Sequence, residues 1–169
     1  MNPSQENQVS PGQPIARTEL TPQQTSIIKI LSIIAAALWI IALPLTAYVS
    51  PDDGGNVLGL TCFIYGWEAL LITNVFVFAG WISNFLAYSV IRMAGANQPS
   101  ANKLLIYSVL AFILSFGAFG LTSYPRDEGS SVYFTVKPGI GLYLWLLAIT
   151  CTAAMGLYRY LLLLISDNK

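Results

Sequence analysis

Polar and apolar residues are segregated along this chain in whole segments rather than in short alternations. Residues 1–25 (MNPSQENQVSPGQPIARTELTPQQT) carry almost no large apolar side chain. Such a stretch cannot bury enough surface to offset its ordering entropy, and it reads as a disordered tail. Four long apolar stretches follow, at about 27–49, 68–91, 103–122 and 139–165. The links between them are punctuated by Asp53-Gly54, Gly95, Pro99, Pro125 and Pro138-Gly139. The first stretch has 23 residues. As a helix it would reach about 35 Å, enough for a hydrocarbon core about 30 Å thick.

The pattern therefore predicts an all-α fold. It is a four-helix transmembrane bundle (26–165) with short links, a disordered N-terminal tail (1–25) and a short C-terminal tail (166–169). Thr25 or Ser26 is placed to cap the first helix. Pro44 is expected to free the carbonyl of Ile40 and kink the far end of that helix. The fourth stretch is long for one crossing. Arg159, between Tyr158 and Tyr160, is expected at its interface, with residues 161–165 tilting, extending or lying along the surface. Residues 57–66 (VLGLTCFIYG) are apolar but belong to the first link, as a short interfacial or re-entrant piece.

Composition agrees: 55% of residues are hydrophobic and 9% charged, against roughly 25% charged in an ordinary soluble domain. Net charge is zero, which offers no basic footprint for nucleic acid. The distribution of basic residues predicts orientation. Arg17, Lys29, Arg92, Lys103, Arg159 and Lys169 fall on one side and only Arg126 and Lys137 on the other. Both termini are thus expected in the cytoplasm, in a multi-pass protein of the cell membrane.

Candidate chemistry is sparse. The chain has no His, which disfavours His-ligated haem, His-rich zinc sites and His general bases. Cys62 and Cys151 form no Cys-x-x-Cys pair and read as ordinary apolar-phase cysteines. Asp52-Asp53 and Asp127-Glu128 read as solvated loop charge. No cofactor, metal site or catalytic residue is predicted, and the chain is not expected to be an enzyme.

Glu68 is the one carboxylate at the edge of a membrane segment, expected in the first turn of the second helix, where it complements the helix dipole. Trp67, Asn74, Trp81 and Tyr88 recur at seven-residue spacing, with Asn84 nearby. This face is a packing seam or, on the sharper reading, a polar cleft for a small molecule or lipid headgroup. Small residues form two ladders: Ser108, Ala111, Ser115, Ala118 and Thr122 on the third helix, and Ala148, Thr152 and Gly156 on the fourth. They permit close backbone approach within one chain or between chains. A homo-oligomer with Gly156 or Ser115 near its interface is the expectation.

Gly66-Trp67, residues 78–84 (FAGWISN) and residues 139–145 (GIGLYLW) resemble a group of small, uncharacterised bacterial four-helix membrane proteins. The resemblance covers roughly residues 60–150. It implies four crossings of a bacterial cytoplasmic membrane and brings no catalytic residues. Two functional expectations follow. The first is an accessory or structural subunit that acts by assembly in the lipid bilayer, with itself or in a larger membrane complex. The second is a small transporter or channel whose polar path is lined by Glu68, Asn74 and Asn84.

Overall fold

The computed structural model describes residues 20–51, 55–71, 74–96, 99–125 and 133–167. Four of its helical segments are long and apolar enough to cross a membrane: Pro22–Ala42, Val75–Ala94, Ala101–Gly120 and Ile140–Ile165.

Helix α1 (Pro22–Ala42) starts earlier than its apolar run suggests. Thr21, not Thr25 or Ser26, is the cap. Its hydroxyl accepts from the Gln24 backbone N–H, and the Gln24 side chain accepts from the Thr21 N–H. Pro22 then occupies the first turn, where its missing N–H costs nothing. Residues 22–25, assigned to the tail by composition, are therefore helical; residues 1–19 lie outside the described part. The far end is also corrected. Pro44 stops the helix instead of kinking it: the Ile40 carbonyl is taken by the Leu43 N–H and the Ala42 carbonyl by the Leu45 N–H. Residues 46–49 leave the helix as strand β1 (Thr46–Val49).

After β1 come strand β2 (Val57–Leu58), helix α2 (Gly59–Tyr65) and a 3-10 turn, Gly66–Leu70. Helix α3 (Val75–Ala94) begins seven residues later than the predicted start at 68, because Asn74 caps it: its side-chain oxygen accepts from the Val77 N–H. Helix α4 (Ala101–Ser115) tightens into a 3-10 turn, Phe116–Gly120. Strands β3 (Ser123–Pro125) and β4 (Tyr133–Thr135) form a hairpin, and strand β5 (Lys137–Pro138) leads into α5 (Ile140–Asp167). That last helix runs past 165 into the predicted C-terminal tail.

The all-α expectation is thus corrected. The chain is mostly helical, but β1 is the middle strand of an antiparallel sheet ordered β2-β1-β5, and β3 pairs with β4 in a second sheet. The links supply β-branched and aromatic residues (Thr46, Tyr48, Val49, Val57, Tyr133, Phe134, Thr135) that suit strands. Pairing also satisfies backbone groups that a bare link would leave unbonded. Pro138 is confined to an edge strand, as its missing donor requires.

Helix α5 is the hub, and the most enclosed of the four long helices. It packs against α1, α4 and α3, while α3 also packs on α4. Two close approaches set this packing. A side chain at Gly117 would run into the Phe76 carbonyl on α3, and one at Gly156 into the Ser108 hydroxyl and Val90. Buried Ser108, Ala111 and Ser115 on α4 thus share the bundle interior with buried Ala148, Thr152 and Gly156 on α5. At the end opposite the sheets, Ile28, Val90, Ala94, Leu104, Met155 and Leu163 form one apolar cluster.

Candidate functional site

Helices α1 and α3 do not lie side by side at the sheet end of the bundle. Pro44 ends α1, and the chain that follows through β2 and α2 contacts both helices. Phe63 of α2 meets Trp39 of α1 edge to face, with ring centroids 5.0 Å apart. Its carbonyl accepts a 2.8 Å bond from the indole N–H of Trp81 on α3. Between these elements and the start of α5 lies a cavity of about 530 Å³, within the usual range for small-molecule sites, about 300–1,000 Å³.

The floor of the cavity is organised by Asn84. Its side-chain oxygen accepts from two indoles, Trp39 at 3.1 Å and Trp145 at 2.8 Å. Its amide nitrogen donates to the Trp81 carbonyl at 3.0 Å. One polar group on α3 therefore joins α1 and α5. The expected tryptophan stripe is split: Trp81 lines the cavity, while Trp67 and Tyr88 are exposed. The rest of the lining is mostly apolar, and Glu68 is its one charged residue among those described.

The sequence candidates fare differently. Glu68 and Asn84 line the same cavity, but Asn74 is outside the lining. Asn74 acts as the α3 cap, and its amide also reaches the Gly120 carbonyl at 3.5 Å. The expected position of Glu68 is corrected: it sits in the 3-10 turn before α3, exposed, not in the first turn of a membrane helix. Ser108, Ser115, Ala148, Thr152 and Gly156 are all buried inside one chain. Gly156 and Ser115, expected near an interface between copies, are themselves covered by neighbouring helices of the same chain. The acidic pairs Asp52-Asp53 and Asp127-Glu128 lie outside the described residues.

Three features were not visible in the sequence pattern. Tyr48 is buried, and its hydroxyl donates to the Ala118 carbonyl, pinning β1 to the end of α4. Burial, and secondarily Cys62, raise its phenol above the usual range. Burial likewise pushes the Cys62 thiol up to about 11, so it stays protonated and unreactive near neutrality. Arg159, expected at an interface between two tyrosines, is 1% exposed. It lies one turn from Met155 and one turn from Leu163 on the clustered face of α5, and its Nε and Nη1 have no hydrogen-bond partner.

Both cysteines are free, and no group of metal-ligating residues is found among the described residues. Compared with protein-family models, curated proteins and solved structures, the chain matches none of them.

Proposed function

We propose that this chain is a membrane-embedded binding protein whose cavity at the sheet end takes a small, largely apolar molecule. The observation that carries this reading is the cavity of about 530 Å³ held open by the Asn84 bonds to Trp39 and Trp145. A half-buried amide bonded on three sides is a rigid floor rather than an adjustable one. The reading develops the polar-cleft alternative and sets aside a path through a single chain. Below Asn84 the bundle closes on buried Ala87, Ala111 and Ile149, and then on the apolar cluster at the far end. In the orientation we propose, both termini face the cytoplasm of a cell membrane and the sheets face outward, as the six-to-two split of basic residues supports.

The test uses N-phenyl-1-naphthylamine, an uncharged fluorophore excited by tryptophan emission, with the full chain in lipid nanodiscs. Saturable energy transfer, at one site per chain, is expected. Val77→Phe, which fills the cavity from α3, should abolish the saturable component without changing the elution volume of the particle. Transfer that only rises linearly with probe, equally in both proteins, would mean partition into lipid and would sink the proposal.

A further inference from the structure

The lining of the cavity selects a sign of charge. Six aromatic residues contribute to it: Trp39, Tyr48, Phe63, Tyr65, Trp81 and Trp145. Among the described residues, Glu68 is the one charged group in the lining, and it has no ion-pair partner. No described lysine or arginine reaches the lining. The one described basic residue at this end, Lys137, is exposed on the edge strand β5 and lies outside it. Burial holds Tyr48 and Cys62 in the wall neutral near pH 7, so they add no charge.

Two general forces follow from this set. Aromatic faces attract a cation through their quadrupole, most strongly when the cation is poorly hydrated. An unpaired carboxylate at the mouth adds a Coulomb attraction that water weakens but does not remove. An anion of equal size meets the opposite sign in both terms. A strongly hydrated inorganic cation would lose more in dehydration than a mostly apolar wall returns.

We propose that the ligand is a lipophilic organic monocation, such as an aromatic phosphonium or a quaternary or protonated amine. Its apolar body sits among Trp39, Trp81 and Trp145, and its charge lies toward Glu68. This rests on the cavity reading above and adds the charge of the ligand to it.

The experiment compares two ions of nearly the same shape and opposite charge, tetraphenylphosphonium and tetraphenylborate. Each competes with N-phenyl-1-naphthylamine on the full chain in nanodiscs, at free concentrations fixed by equilibrium dialysis. Tetraphenylphosphonium should displace the probe at a free concentration at least tenfold lower than tetraphenylborate. Glu68→Gln should weaken the cation about tenfold and Glu68→Asp much less, each measured against that variant's own affinity for the uncharged probe. Because Glu68 is exposed, these variants leave the core untouched. Equal competition by both ions, or a Glu68→Gln protein that binds the cation as well as wild type, would overturn the cation proposal and leave the cavity standing. Loss of saturable probe binding in the wild type would instead overturn the cavity itself.

Discussion

The two ends of the bundle are built on opposite principles. Toward the end far from the sheets, the helices approach until no side chain fits at Gly156, which lies against Ser108 and Val90. At the sheet end α3 and α4 still meet closely at Phe76 and Gly117, but between α1, α2, α3 and the start of α5 bulky indoles surround open space. Lipid gives helices no hydrophobic drive toward one another, so each end needs another source of cohesion. The close end uses dispersion along a seam of small residues. The open end uses hydrogen bonds from side chains, Asn84 to two tryptophans and Tyr48 to Ala118. The close end fixes the bundle, and the open end retains volume that a ligand can use.

The contrast is sharpest at Gly156. Gly156→Leu forces a branched side chain into the Ser108 hydroxyl and Val90. Overpacking of this kind costs about 3 kcal/mol or more where backbones cannot separate. The variant is expected to melt at a much lower temperature in detergent, or to fail to accumulate. A melting temperature equal to wild type would show that the close end is loose.

Arg159 is the exception within the close end. A buried guanidinium with Nε and Nη1 unbonded opposes folding, and removing the charge recovers that penalty. Arg159→Met, which keeps the apolar stem and deletes the charge, should raise stability by about 1–3 kcal/mol, read as a higher melting temperature. A fall instead would mean that an anion meets this side chain in the membrane, and the end would not be the purely apolar seal described above.

The smallest of the three effects is expected at the open end. Asn84→Leu leaves the indole N–H groups of Trp39 and Trp145 without their acceptor. Each orphaned donor costs about 1–3 kcal/mol when dry, but water admitted by the cavity can replace part of the loss. A drop of about 1–2 kcal/mol and a red-shifted tryptophan emission are expected, with Asn84→Asp closer to wild type because it keeps the acceptor oxygens. Unchanged emission in Asn84→Leu would detach Asn84 from the cavity floor.

Sequence alone carried the existence and approximate extent of four membrane-length helices, because 20-residue apolar runs have one economical solution in a chain this poor in charge. It also carried the two candidate polar residues that prove to share a cavity, Glu68 and Asn84. Helix ends were less legible. The caps at Thr21 and Asn74 depend on side-chain hydrogen bonds that a hydropathy pattern does not register. The seven-residue spacing that grouped Asn74 with Trp81 assumed a continuous helix through residues 67–74, and the Asn74 cap ends that continuity.

Only the tertiary structure decided the rest. The strands around Tyr48 and Val136 join links that lie almost 90 residues apart, from Tyr48 to Pro138, and such pairing depends on where the helices bring the link ends. The direction of the small-residue ladders, inward rather than toward a second copy, depends on which helix becomes the hub. Local pattern records what each segment can bury; which neighbour it is buried against is a property of the whole chain, here set by α5 packing against α1, α3 and α4.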